Sequence, residues 1–275
     1  MLVNLNDVLF EAQKNHYAVG LFNTTDTDML EGAISAAEEL RSPIIIGTAE
    51  VLLPFGELKL IAPSLIAAAK RASVPVVVHY DHGLTFDRCM EAIKLGFSSI
   101  MFDGSLGNEK ENLENTREMV KIAHSMGISV EGEIGHVGEA NKGDNETSDM
   151  YTTPEEAKAF VEATGVDALA VAIGTAHGAY KTKPRLDIER LKEIRNAIDT
   201  PLVLHGGSGL SDDDFKNTIK NGIAKVNIFT DLCNAGKNAM KTFDGEYLEI
   251  RNAKVKAIKE AVINKMLLFG SDGKY

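Results

Sequence analysis

Apolar positions along the chain follow two periods that take turns. Short runs rich in aliphatic and β-branched residues recur at Tyr17–Phe22, Pro43–Ile46, Val74–His79, Ser99–Phe102, Ser129–Glu133, Ala168–Ile173, Leu202–His205 and Lys225–Ile228. Nearly continuous apolar runs of that length are what strands covered on both faces require, as in a parallel sheet. Between them, apolar residues return every three or four positions, the spacing of amphipathic helices. These helices are expected over Asp28–Leu40, Leu58–Ala72, Phe86–Leu95, Asn108–Met126, Pro154–Thr164, Asp187–Ala197 and Asp212–Asn221. One more helical stretch follows Asp231, and Arg251–Phe269 closes the chain.

Local signals support the boundaries. Thr153-Pro154-Glu155-Glu156 places a cap, a first-turn proline and two acids in order, and Ser211 precedes three aspartates. Gly96, Gly127, Gly165 and Gly222 fall just beyond helices, where a left-handed cap favours glycine. Strand–helix units in strict alternation predict an α/β protein, a (β/α)8 (TIM) barrel forming a single domain over 1–275, with a C-terminal helical extension. A doubly wound open sheet is the runner-up, but no dinucleotide-type glycine fingerprint follows the first strand. The longest irregular stretch, about 135–152, is expected to be a mobile lid after the fifth strand.

Composition narrows the partners. The net charge of −11, with no offsetting basic cluster, argues against nucleic acid. No run is long and apolar enough for a membrane span, and the first residues lack the pattern of a signal peptide. Cys89 and Cys233, the two cysteines, form no metal or disulfide motif, so a reducing, cytoplasmic location is expected. An acidic protein that binds an anion must use local backbone N–H groups and a few cations.

Candidate chemistry gathers at strand ends. His79-Tyr80-Asp81-His82-Gly83 sets a carboxylate beside an imidazole, and Gly83 is expected to break the strand and turn both towards one mouth. Histidines also end the sixth and seventh strands, His177 and His205. In a barrel these ends converge, and three imidazoles with an open position make a catalytic zinc environment. The other histidines, His16, His79, His124 and His136, are read as ordinary surface or core residues, the last within the lid. Asp103 follows the fourth strand, while Glu131 and Glu133 share a face of the fifth. Buried carboxylates need partners: the N–H of a metal-ligating imidazole is one, and a lysine is the alternative for Glu131. The glycine-rich turn His205-Gly206-Gly207-Ser208-Gly209 and the stretch Asn227-Ile-Phe-Thr230-Asp231, which runs into a helix N-terminus, lie where barrels place phosphate, with His177-Gly178 and Lys181 beside them.

Together, Asp81-His82-Gly83, Ala172-Ile-Gly-Thr-Ala-His177-Gly178, Val203-Leu-His205-Gly-Gly-Ser-Gly209 and Lys225-Val-Asn227-Ile-Phe-Thr230 resemble the class II, zinc-dependent ketose-bisphosphate aldolases, which include fructose- and tagatose-bisphosphate aldolases. The resemblance runs from Ala18–Asn23 and Ser42-Pro43 to Phe269-Gly-Ser271. It implies a lyase that reversibly cleaves a ketose 1-phosphate or 1,6-bisphosphate to dihydroxyacetone phosphate and an aldehyde. By that resemblance His82, His177 and His205 hold Zn2+, and Asp81 moves the C4 hydroxyl proton. Asp103 and Glu133 are then carboxylates beside the metal, or its alternative ligands. Asn23, Gly178, Lys181, Gly206, Gly207, Ser208, Asn227 and Thr230 surround the substrate and its phosphate. A monovalent cation, Na+ or K+, near the phosphate loops and a homodimer or homotetramer are further implications.

The departures fall on the aldehyde side. The family's lid motif reads Gly138-Glu139-Ala140-Asn141-Lys142 here, so Asn141 replaces the lid acid and Glu139 is the candidate substitute. Arg251 is the candidate for a second phosphate. These changes leave open an aldolase for a non-standard ketose 1-phosphate, an epimerase or isomerase, or a non-catalytic metal- and sugar-phosphate-binding barrel.

Overall fold

The computed structural model describes residues 1–135, 138–139, 151–178 and 184–275. Its centre is a closed sheet of β1 (Val19–Asn23), β2 (Ile44–Ala49), β3 (Val76–Gly83), β4 (Ser99–Phe102), β5 (Ser129–Ile134), β6 (Ala168–Val171), β7 (Leu202–Leu204) and β8 (Ile223–Ile228). Each strand pairs in parallel with the next, and β8 pairs back onto β1 through Lys225↔Val19 to Ile228↔Phe22. Closure leaves no barrel strand with an unpaired edge.

Alternation along the strands divides the apolar residues into two layers. Inward-facing Val19, Leu21, Ile45, Val77, Ala168, Ala170, Val203 and Ala224 form the small core inside the barrel. Outward-facing residues such as Phe22, Ile44, Ile46, Val76, Val78, Tyr80, Val130, Leu169 and Val226 pack under the surrounding helices. A first helix, α1 (Asn6–Lys14), is absent from the pattern read along the sequence, because its apolar stripe is only Val8, Leu9 and Ala12. These residues, with Leu5 and Tyr17, join the inner cluster and plug the amino end of the barrel. There Leu5 N–H donates to Ser129 Oγ at 3.0 Å and Asn6 to Asp167 Oδ1 at 2.7 Å, both residues lying at or just before the starts of strands.

The outer helices are α2 (Thr27–Leu40), α3 (Leu58–Arg71), α4 (Phe86–Leu95), α5 (Glu109–His124), α6 (Pro154–Thr164), α7 (Ile188–Ala197), α8 (Asp212–Lys220) and α9 (Thr230–Thr242). A six-residue 3-10 segment, Glu50–Phe55, precedes α3. The capping signals at Thr153 and Ser211 hold: each side chain accepts from the third helical N–H, and Glu156 and Asp214 return the bond. The terminal helix α10 (Tyr247–Phe269) lies against α2, where Gly32 leaves room for Ile258 and the backbone of Val255 and Lys259. Ser271 then bonds Ser42 at 2.8 Å, tying the tail to the entry of β2. No helix among the described residues is long and apolar enough to cross a membrane.

One expectation about a strand end needs correction. Gly83 does not break β3, which runs through it, for reasons given below. Within the expected lid, Gly138–Glu139 forms a short parallel pairing with Ala176–His177. The remainder of that stretch from His136, including Asn141, lies outside the described residues up to Tyr151.

The α1 plug supports the floor of the barrel, and Leu9 is fully buried there. Leu9→Ala should lower stability by about 2–5 kcal/mol, the usual cost of a cavity at a site that cannot collapse. Urea unfolding followed by circular dichroism measures it as a lower midpoint at unchanged slope.

Candidate active site

The carboxyl end of β3 brings two neighbours to one mouth by a bulge. Val77, His79 and Asp81 alternate inward, and ordinary pleating would send His82 out among the helices. Instead the register with β4 shifts between Tyr80 and Gly83, and His82 takes φ +46°. An extra residue in the left-handed region bends the strand and re-aims the side chain. A non-glycine residue held there costs of order 1–3 kcal/mol, a strain that concentrates at functional sites. Gly83 has a different task. A Cβ there would lie 2.4 Å from Cys89 Sγ and 2.8 Å from the Met101 carbonyl oxygen.

His82, His177 and His205 converge as the strand ends imply. Their ring centroids lie 4.9, 4.5 and 5.7 Å apart, and one nitrogen of each lies within 4.8 Å of the others. His177 arrives on the short strand paired with Gly138–Glu139, beyond the end of β6. Carboxylates assign the protons of the other two rings. His82 Nδ1 donates to Asp103 Oδ2 at 2.6 Å, and Asp103 is itself held by Ser105 Oγ at 2.7 Å. His205 Nε2 donates to Glu131 Oε1 at 2.8 Å. In the neutral rings the remaining nitrogens, His82 Nε2 and His205 Nδ1, are therefore both acceptors, yet they face each other at 2.8 Å. At that separation the two nitrogens share a cation, a proton on His82 or a metal ion in its place, and an imidazole set backed by carboxylates suits zinc. Glu133 lies alongside, its Oε2 3.6 Å from His205 Nδ1 and without a hydrogen-bond partner among the described residues.

Asp81 is buried next to this cluster. Its two oxygens accept from Asn23 Nδ2 at 2.7 Å and Asn227 Nδ2 at 3.1 Å. Beneath it the Lys225 ammonium bonds Asn227 Oδ1 and Glu131 Oε2, both at 2.8 Å. Glu131 thus has both partners that the sequence offered as alternatives. His79 is buried too: Nδ1 meets Ser99 Oγ at 2.8 Å, and Nε2 lies 3.8 Å from Asp81 and from Glu131. Lys225 and Ser105 were missed from the sequence. The signal for Lys225 was present, since a lysine inside an apolar strand must find buried counter-charge.

Charge and burial separate the titrations. Burial alone would raise Asp81, but the cations of His82 and Lys225, with His205 and His79, hold its carboxyl well below the usual range. Burial opposes the imidazolium of His82, yet Asp81, Asp103 and Glu133 outweigh it and push that group up to about 10. His177, desolvated and facing His82 and His205, is lowered to about 3. Glu133, desolvated beside Asp103, is raised to about 8.

The anion loops border the same mouth. Gly206 (φ +66°) packs so closely that a Cβ would lie 2.4 Å from the Ala176 carbonyl oxygen, which joins the loops after β6 and β7. Gly207 follows it, and Ser208 Oγ accepts from Phe229 N–H at 3.3 Å, tying the β7 loop to the start of α9. Thr230 opens α9, which has no side-chain cap, and Gly178 (φ +96°) follows His177. Lys181 and the side chain of Glu139 lie outside the described residues. Arg251 is engaged elsewhere: it pairs with Asp28 at 2.8 Å and with Glu31, while Lys254 holds Asp26 at 2.7 Å and Asp28 at 3.1 Å.

Comparison with known proteins agrees over the whole length. The family model described as "Fructose-bisphosphate aldolase class-II" matches residues 3–274. The fructose-bisphosphate aldolase of Thermus caldophilus is 37% identical over 308 aligned positions, covering 100% of both chains. The 6-phospho-5-dehydro-2-deoxy-D-gluconate aldolase of Bacillus licheniformis is 37% identical, covering 99% of this chain and 96% of its own. The crystal structure of the YdjI aldolase from Escherichia coli K12 superposes with a TM-score of 0.90 at 39% identity, covering 100% of this chain and 99% of the other.

The carboxylate behind His82 yields a direct test. Asp103→Ala should weaken Zn2+ binding about 10- to 100-fold, read by competition with a chelating indicator. Were the cluster to take Zn2+, His82 would have to be neutral, and its proton, otherwise held up to about pH 10, would be released. The apparent affinity of the metal-free protein should therefore rise about tenfold per pH unit between pH 6 and 9, measurable by the same competition.

Proposed function

Because the chain belongs to the class-II fructose-bisphosphate aldolase family, we propose that it is a zinc-dependent aldolase. It would reversibly cleave a ketose 1-phosphate or 1,6-bisphosphate to dihydroxyacetone phosphate and an aldehyde. One observation carries this reading: a buried carboxylate, Asp81, kept ionised beside three imidazoles whose nitrogens converge within 4.8 Å of one another. A base next to a cation site is the minimum equipment for breaking a carbon–carbon bond α to a carbonyl.

In this reading His82, His177 and His205 hold the metal, with Glu133 available beside them. When bound, Zn2+ supplies Lewis acidity for the negative charge that develops on oxygen next to the breaking bond. Asp81 accepts the proton of the C4 hydroxyl. The C3–C4 electron pair then stays on C3 and C4 becomes the aldehyde carbonyl, and synthesis runs the same proton back. Asn23 and Asn227 hold both oxygens of Asp81, so the carboxylate is aimed before substrate arrives. Backbone donors at Gly178, Gly206, Gly207 and the start of α9, with Ser208, Thr230 and Lys181, would grip the phosphate of the dihydroxyacetone half. A Na+ or K+ ion beside that phosphate belongs to the same reading, as does Glu139 in the role of the missing lid acid.

The aldehyde half supports a second reading, a non-standard ketose 1-phosphate. Two relatives at equal identity, 37%, bear names for different sugar phosphates, so similarity alone does not choose the substrate. Arg251 is paired with Asp28 and Glu31 in α2, which favours a substrate that makes no demand on that guanidinium. The same reading expects a homodimer or homotetramer, supported by Tyr247 and Leu248, 80% and 68% exposed at the start of α10.

A coupled assay for dihydroxyacetone phosphate with zinc-loaded protein tests the reading. Chelator-sensitive release from fructose or tagatose 1,6-bisphosphate is the first expected outcome, and release only from ketose 1-phosphates supports the second reading. Silence across the panel would favour a non-catalytic binding barrel. Asp81→Asn should lower kcat about 10²- to 10⁴-fold, the span of a lost general base, with zinc content unchanged.

A further inference from the structure

Below the metal cluster lies a cation that neither the phosphate loops nor the proton transfer uses. Lys225, in β8, is fully buried inside the barrel. An ammonium has three donors and no acceptor, so every polar group that faces it must present an oxygen. Two oxygens do so. Glu131 Oε2 and Asn227 Oδ1 both lie 2.8 Å from Nζ.

Each of these contacts leads upward to a different functional group. Once Oε2 of Glu131 is anchored, Oε1 faces His205 and accepts from Nε2–H at 2.8 Å, which leaves Nδ1 as the free lone pair at the cluster. Once Oδ1 of Asn227 is anchored, its Nδ2 must point the other way, and it donates to Asp81 Oδ1 at 3.1 Å. Reversing that amide would set two carbonyl-type oxygens against each other. One cation at the bottom thus sets the direction of both chains above it, through an ion pair to Glu131 and a hydrogen bond to Asn227. The placement has an alternative that the fold does not take. His79, Asp81 and Glu131 approach closely enough to hold a metal ion, and a side-chain ammonium reaches Glu131 in that space instead.

We propose that Lys225 is a positioning residue, an internal cation that aims Glu131 at His205 and Asn227 at Asp81 and so couples the metal-holding face to the base. The zinc part of this inference stands on geometry alone, and its catalytic part rests on the aldolase reading.

Lys225→Met, of similar length and without charge, should weaken zinc binding about 10- to 100-fold, the range for partners behind a metal ligand, and should alter the visible spectrum of the cobalt-loaded protein. Because a lone buried Glu131 carboxylate threatens folding, the charge-balanced Lys225→Met/Glu131→Gln protein is measured beside it. It should fold, and it should show the same order of loss in zinc affinity. On the catalytic side, with zinc held saturating so that the Glu131–His205 arm is filled in every variant, Lys225→Met/Asn227→Ala should turn over no slower than Asn227→Ala alone, within threefold, because what remains of the Lys225 effect runs through Asn227. The proposal is overturned if the charge-balanced protein binds zinc and releases product within threefold of the parent. It is equally overturned if the Lys225 and Asn227 losses simply multiply. Zinc affinity needs no substrate, so a parent protein that cleaves nothing defeats the aldolase reading while the zinc measurement still decides whether Lys225 positions Glu131.

Discussion

Burying charge inside a closed barrel allows only arrangements in which every ionised group answers another. His79, Asp81, Glu131, Glu133, His205 and Lys225 all lie at or below 2% exposure at the carboxyl half of the barrel. An isolated charge there would cost several kcal/mol even after relaxation. The structure meets that demand by chaining the groups: Lys225 to Glu131 to His205, and Lys225 to Asn227 to Asp81. Some polar atoms are left over. His79 Nε2, Glu133 Oε2 and Asn23 Oδ1 lack hydrogen-bond partners among the described residues, and Glu131 Oε2 is met by Lys225 as an ion pair without a hydrogen bond. Such shortfalls in a native interior mark places where a ligand completes the bonding.

Closure of the sheet is what makes this density of function affordable in stability. The polar groups occupy only the upper layers of the barrel. Beneath them, Val19, Leu21, Ile45, Val77 and Val203 form a small apolar layer sealed by α1. The larger apolar mass lies outside the strands, under the helices. Substituting a residue of the site therefore disturbs a region whose contribution to the core is small, which is why barrels of this kind vary their mouths freely.

The barrel was legible along the chain because strands buried on both faces are continuous apolar runs and the helices are amphipathic. The eight strand positions inferred from periodicity match those in the structure to within a few residues. Boundaries near the site were harder. β3 continues through Gly83 because the turn is made by a left-handed His82, a state uncommon for any residue but glycine and not fixed by the local sequence. α1 escaped notice because a helix that plugs a barrel needs only a narrow apolar stripe. The three histidines and Asp81 were found because strand ends converge in this topology. Lys225, Ser105 and the involvement of His79 were not, because their partners lie on other strands and are brought together only by closure.

Asymmetry between the two halves of the mouth follows from the same physics. On the side of β6 to β8, recognition uses backbone and short side chains locked by packing: Gly206 against Ala176, Ser208 against Phe229. Such a surface can hardly change without disturbing the strands themselves. On the side of β1, the cations nearest to α2 are carried by α10 and already balanced by Asp26, Asp28 and Glu31. A phosphate arriving there would have to displace carboxylates from Arg251 and Lys254, trading one anion for another with little net gain. A neutral or hydroxylated aldehyde faces no such exchange. At this end three carboxylates balance two cations, whereas at the centre a single lysine meets both buried chains.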